Sequence, residues 1–339
     1  MKPTKRPLLF TLIFFFFTPQ IYSQSPGWLW AKSAGGIHNE EAKSIATDAS
    51  GNVYATGYFA SDSITFGSIT LVNPHGGEFN TFLVKYDSQG NVLWAKSPRG
   101  TGGNEAYSVG VDASGNSYIT GVFTNPLLIF GSDTATYYGG STIFLAKFDV
   151  NGNFLWVRSA GGGWFDFSYS VAVDASGNIC IAGSYSSPSI SFGAYHLINL
   201  INSGSSNDLF IAKYDSNGNV IWARRAGGTK NDIGYSIATD HSGNVYISGG
   251  FTSHTISFDT ITFTNPNANF FNLELFVVKY NATGNVVWAK SAGGVNSDQA
   301  RSIAVDTADN VYIAGSFSSP TITFDTITLN TPGSDVGEI

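Results

Sequence analysis

Five tryptophans constrain this chain more than any other feature. Trp30, Trp94, Trp156, Trp222 and Trp288 stand 64, 62, 66 and 66 residues apart. The phrase around them reads WAKSAGG at Trp30 and Trp288, WVRSAGG at Trp156 and WARRAGG at Trp222. A second phrase follows: SIATDASGNVYATG from Ser44, SVGVDASGNSYITG from Ser108, SVAVDASGNICIAG from Ser170, SIATDHSGNVYISG from Ser236 and SIAVDTADNVYIAG from Ser302. A third precedes each later tryptophan: FLVKYDSQGNVLW, FLAKFDVNGNFLW, FIAKYDSNGNVIW and FVVKYNATGNVVW. A unit recurring at a fixed period is one supersecondary element that buries its apolar face against its neighbours.

The phrases have the chemistry of strands. They are short runs of Val, Ile, Phe, Tyr and Thr bounded by Asp, Asn, Ser and Gly. No segment keeps apolar residues at helical spacing for eleven or more residues, so almost no helix is expected. The D-x-x-G-N element recurs at Asp48–Asn52, Asp112–Asn116, Asp174–Asn178 and Asp240–Asn244, and again at Asp87–Asn91, Asp149–Asn153 and Asp215–Asn219. Its Asp can cap the turn through the side chain while Gly accepts the positive φ of a tight hairpin. In the last unit Asp309 stands in place of Gly, and Asp tolerates that conformation better than most residues.

Each unit thus reads as four strands in two hairpins: in the first, Ser44–Asp48, Val53–Phe59, Phe82–Asp87 and Val92–Lys96. ITFGSITL from Ile64, ISFDTITF from Ile256 and ITFDTITL from Ile322 add a small extra hairpin. Four-stranded units of even length describe an all-β fold, a β-propeller of repeated four-stranded antiparallel blades. About five units are visible and the last is incomplete. Blades that share a core between neighbours also suit a chain this long, which exceeds what one hydrophobic core usually serves. A β-solenoid would need coils of roughly 20–30 residues.

These phrases, DASGNVYATG and FLVKYDSQGNVLW above all, resemble the SBBP repeat, a family named for seven-bladed β-propellers of secreted bacterial proteins. The resemblance covers Trp28 to about Asn330 and implies the fold, but it brings no shared catalytic residues with it. A weaker likeness to quinoprotein-type propellers rests on Asp87, Gly90, Asn91 and Trp94, which put Gly where that motif's Thr stands and bring Trp one residue nearer the Asp. The adjacent cysteines of those enzymes have no counterpart, since Cys180 is the only cysteine.

The N-terminus reads as processing. Lys2, Lys5 and Arg6 precede an apolar run from Leu8 to Phe17, too short to span a bilayer but suited to a secretory signal. The expected organisation is a signal peptide over 1–23 and a propeller domain over 24–339, with units ending near Trp94, Trp156, Trp222 and Trp288 and a truncated final unit. Removing the leader's three cations takes the formal charge from −7 to −10. So acidic a chain, without a basic run, is a poor match for nucleic acid. No other stretch approaches ~18 apolar residues, so no integral membrane segment is expected after cleavage. Trp28–Ser33 reads as an isolated fourth strand. The final unit stops before its third and fourth strands. Either the Ile322–Leu329 hairpin substitutes or the chain is a fragment, and the exposed edges of an open arrangement favour the second. A sorting domain of the type IX kind would lie in the missing part.

The short hairpins are nearly identical among units, so ligands are expected on the opposite face, where the A-G-G-x-x-x-D/E turns and the long inserts vary. Before each inner-strand serine stand Glu40, Asn104, Asp166, Asp232 and Asp298. Glu40, Asp166, Asp232 and Asp298 are candidate oxygen ligands for a cation such as calcium; alternatively, each caps its own Gly-Gly turn. Trp164, Phe165 and Asp166, in the most divergent unit, are the candidate ligand-binding residues, with sugar or peptide stacking as the chemistry. Lys85, Lys147, Lys213 and Lys279 are expected to pack their stems between blades, with the ammonium on an Asp or an aromatic face. No catalytic constellation emerges: the five histidines fall at unrelated repeat positions. The reading is a secreted or cell-surface, non-enzymatic binding or structural module at the cell envelope, needing no cofactor, whose partner is an extracellular protein or glycan. The alternative is a carbohydrate-active hydrolase or lyase using the variable loops.

Overall fold

The D-x-x-G-N turn shows why short phrases build this molecule. At Asp48, Oδ1 accepts the N–H of Ser50 and of Asn52, both at 3.0 Å, and Oδ2 accepts Asn52 Nδ2 at 2.8 Å. One carboxylate thus satisfies three donors of a turn only five residues long. Gly51 carries the required positive φ of 77°, and Asp309 takes the same role at 62°. The computed structural model describes residues 27–201, 204, 206–269, 271–331 and 337–338. The expected signal peptide lies outside them. Two units divide the chain, Met1–Ala31 and Lys32–Ile339, and all the strands belong to the second.

Four blades are complete four-stranded antiparallel sheets. Blade 1 comprises Glu40–Thr47, Val53–Phe59, Asn80–Tyr86 and Val92–Lys96, and blade 2 comprises Asn104–Val111, Ser117–Phe123, Thr142–Phe148 and Phe154–Ala160. Blade 3 comprises Asp166–Val173, Ile179–Tyr185, Asp208–Tyr214 and Val220–Ala226; blade 4 comprises Asp232–Thr239, Val245–Phe251, Glu274–Tyr280 and Val286–Ala292. No helix occurs among the described residues, and the fold is the expected all-β propeller.

Three details differ from the sequence reading. The first strand begins at Glu40 rather than Ser44, because a bulge between Ala42 and Ser44 lets it continue toward the turn. Residues 27–36 form no strand, against the fourth strand expected at Trp28–Ser33. In blade 5, Asp298–Val305 and Val311–Phe317 are joined at the third position by Gly337–Glu338. The Thr321–Phe324 and Ile327–Asn330 hairpin does not substitute there; among the described residues its strands pair only with each other.

Blades meet through their inner strands. Ser44 Oγ accepts the Val109 N–H of blade 2 at 3.2 Å, and the contact repeats from Ser108 to Val171, Ser170 to Ile237 and Ser236 to Ile303. At the outer edge, the Trp94, Trp156 and Trp222 Nε1–H groups donate to carbonyls of the next blade's hairpin, those of Val150, Ser216 and Ala282. The recurrent lysines lie between blades as expected. Lys85 and Lys279 sit 4.7 and 4.8 Å from the ring centroids of Tyr54 and Tyr246, and Lys147 sits 5.1 Å from that of Tyr118. In blade 3 the equivalent of those tyrosines is Cys180. There Lys213 pairs with Asp174 at 2.8 Å, both side chains buried. Burial pushes the Asp174 carboxyl up, but bonds from Lys213 and Asn178 outweigh it and hold the group below the usual range.

Candidate functional site

The acids before the inner strands are held by a device that spans each blade. Asp166 Oδ2 accepts the Gly162 N–H at 2.9 Å and the Ser187 hydroxyl at 2.7 Å, and Oδ1 accepts the Ser187 N–H at 3.2 Å. Asp232 makes the same bonds to Gly228 and Ser253, and Asp298 to Gly294 and Ser319. Glu40 reaches Gly36 N–H and the Ser61 hydroxyl. Each acid therefore staples its Gly-Gly turn to the end of the second strand. The signal was present in the sequence as a serine 21 residues after each acid; in blade 2, Asn104 and Asn125 hold the same two positions.

Asp166, Asp232 and Asp298 are fully buried. Burial raises Asp232 to about 7 and raises Asp166 as well, against the opposing bonds from Ser187. A calcium ion takes six to eight converging oxygens. Here each blade holds its own acid, and among the described residues no group of three Asp, Glu, His or Cys side chains gathers to hold a metal.

Trp164 and Phe165 diverge from Asp166 although they adjoin it. The Trp164 N–H donates to Ser187 Oγ and the Phe165 N–H to Ser186 Oγ, each at 3.0 Å. Ser141 N–H donates to the Trp164 carbonyl at 2.7 Å, and Asp166 N–H donates back to the Ser141 carbonyl at 3.1 Å. So tied, the turn sends Asp166 inward and leaves Phe165 61% exposed, with Trp164 half-buried between them. The three residues form a rigid aromatic turn, not a single cluster.

Two features were missed. One is a row of tyrosines at the inner-strand bulges. Tyr107, Tyr169 and Tyr235 follow one another at centroid distances of 6.0 and 6.3 Å, while Lys43 and Arg301 hold the same position in blades 1 and 5. They all stand one residue before the inner-strand serine, so their common place was legible, but the bulge that turns them off the alternating pattern was not. The other is a cleft of about 520 Å³ on the insert-bearing face, lined by Leu200, Arg225, Gly228, Thr229, His254 and Ser257 among others. Arg225 bonds the buried Asp208 at 3.1 Å. Burial pushes that carboxyl up to about 6 although the guanidinium opposes it.

The family model of SBBP, a beta-propeller repeat, matches residues 221–249 and 287–316. Those two segments match SBBP β-propeller repeats. Each matched segment runs from the fourth strand of one blade through the first two strands of the next, so the SBBP sequence unit is out of phase with the blade. An uncharacterized WD repeat-containing protein of Acanthamoeba polyphaga mimivirus is 30% identical over 339 residues, covering 83% of this chain. The regulatory protein FlaEY of Caulobacter vibrioides is 28% identical over 109 residues, or 32% of this chain. The chain spans 24% and 11% of the lengths of these two relatives. Among solved structures, the Neurospora crassa Pan2 WD40 domain aligns over 84% of this chain and 74% of its own at 10% identity, with a TM-score of 0.39, too loose a superposition to carry an argument.

Proposed function

We propose that this SBBP propeller is a secreted, non-enzymatic binding module at the cell envelope, and that an extracellular glycan or protein docks on the Phe165 turn. The observation that carries the reading is Phe165 itself: a large aromatic held in solvent by a turn whose backbone is fixed through Ser141, Ser186 and Ser187. Holding an apolar ring outward has no folding benefit, whereas a preordered aromatic loses little entropy when it stacks on a sugar or a side chain. The recurring acids support the same reading, because they are engaged as staples and so are not displayed as general acids. Export accords with the N-terminal apolar run and its basic start.

The test is binding of the purified chain to arrayed envelope glycans and envelope proteins, with Phe165→Ala beside it. Loss of about tenfold or more in affinity, with the bound glycan recovered intact, is the expected result. Cleavage of the glycan would point instead to the hydrolase or lyase reading. Unchanged binding by Phe165→Ala would remove the turn from the site.

A further inference from the structure

Two cations that break the repeat meet in the cleft of about 520 Å³ between blades 3 and 4. Arg225 stands where the other units carry Ser33, Ser97, Ser159 and Ser291, and its partner Asp208 stands where blades 1, 2 and 4 carry Asn80, Thr142 and Glu274. His254 replaces Asp62, Pro126, Pro188 and Pro320. Arg225 Nη1 donates to Asp208 Oδ2 at 3.1 Å, so a fully buried acid fixes the guanidinium from below while the arginine side chain stays 31% exposed. Its Nε and Nη2 bond no group among the described residues. His254 Nδ1 is held 3.2 Å from the Asn265 carbonyl. The neighbouring acid, Asp232, is engaged by the Gly228 N–H and the Ser253 hydroxyl. Residues 224–230 hold three cations and no acid, although the chain as a whole carries a formal charge of −7.

We infer that this cleft binds a sugar acid, a hexuronate unit whose carboxylate lies against Arg225, and that it is a site separate from the Phe165 turn. Nε and Nη2 form one edge of the guanidinium, and their parallel N–H groups are the fork that a carboxylate takes in bidentate fashion. A monoanion fits this fork better than a dianion, because Asp208 already shares the guanidinium and repels a second negative charge. The rest of the lining suits a sugar. Thr229 and Thr255 present exposed hydroxyls, His254 presents an imidazole, and the exposed Leu200 offers an apolar surface to the C–H face of a ring. The volume falls in the range of roughly 300–1,000 Å³ usual for small-molecule sites. Folding alone does not call for the ion pair: Asn80 with Ser97, and Thr142 with Ser159, fill the same two positions without charge, and burying an acid is costly.

Equilibrium binding of the purified chain to trigalacturonate and to its methyl ester, at low salt, tests this. The two probes share their ring hydroxyls and differ in charge. Trigalacturonate is expected to bind roughly tenfold or more tighter than the ester, the worth of a charge-assisted hydrogen-bonded pair. The double variant Asp208→Asn, Arg225→Ser is expected to lose that preference. It imports the Asn80 and Ser97 pair of blade 1, so no buried charge is left without a partner, and circular dichroism checks that it folds. Arg225→Lys supplies a second arm: it keeps a cation beside Asp208 but lacks the fork, and should weaken trigalacturonate severalfold. Failure of trigalacturonate to bind, equal binding of acid and ester, or a folded variant that keeps the wild-type preference overturns the inference. So does competition by acetate or inorganic phosphate as effective as that of trigalacturonate, which would make the cleft a general anion site.

Discussion

Replacing Gly284 with alanine separates two reasons for a glycine that the repeat presents as one. Gly284 and Gly177 occupy the same place in the short hairpin, with φ of 82° and 77°. A Cβ in the left-handed region costs about 1–2 kcal/mol at either position. At Gly177 an added Cβ meets nothing within 4 Å. At Gly284 it would lie 2.7 Å from Trp222 Cδ2 and 3.0 Å from Cγ of the preceding blade. That ring cannot simply retreat, because its Nε1–H donates to Ala282 at 3.0 Å and Arg224 Nε holds the Gly284 carbonyl at 2.8 Å. Overpacking a close-fitted contact costs about 1–3 kcal/mol more. Gly177→Ala is therefore expected to lose about 1–2 kcal/mol and Gly284→Ala about 2–5 kcal/mol. Urea unfolding followed by far-ultraviolet circular dichroism reads both, without relying on the fluorescence of the tryptophan under test. Gly152→Ala should behave like Gly284→Ala, since its Cβ would come 2.7 Å from Trp94 Cδ2. Equal losses at Gly177 and Gly284 would refute the argument, leaving backbone conformation as the whole requirement.

Two further outcomes follow from buried charge. Lys213→Met leaves the Asp174 carboxylate buried without its partner and should cost about 3–5 kcal/mol, clearly more than Lys147→Met, whose ammonium faces the Tyr118 ring and the Ser216 carbonyl; matched losses in the same urea assay would contradict it. Glu274 has its pKa pushed to about 7, first by burial and then by Asp298, against 4.5 for the free group. The folded chain therefore holds a proton that the unfolded chain releases between about pH 4.5 and 7, and the wild type loses stability across that window as pH rises. Glu274→Gln removes this contribution, so its stability relative to wild type should climb between those values and level off above them. A difference that stays flat with pH would show that Glu274 ionises freely in the folded chain.

What the sequence determined by itself is whatever lies within a few residues. The strands, the hairpins and the positive φ at Asp309 follow from side chains acting on their own backbone, and the repeat then multiplies each local solution into a propeller. The stem packing of the lysines was also legible, because a cation recurring mid-strand beside aromatics has few other places to go. What only the tertiary structure decided depends on neighbours distant along the chain. An acid with a serine 21 residues later recurs in four of the five units, as at Asp166 and Ser187, but that they form a staple depends on a turn and a strand end meeting in space. The bulges that set Tyr107, Tyr169 and Tyr235 in a row arise from pairing between strands, which alternation in one strand does not reveal. Lys213 takes Asp174 where its counterparts also meet a tyrosine ring, because Cys180 leaves no ring to meet. Likewise, Ile45 and Tyr312 belong to the same phrases as their buried counterparts. Among the described residues no blade packs against them, and identical local sequence does not encode which copies of a phrase are covered.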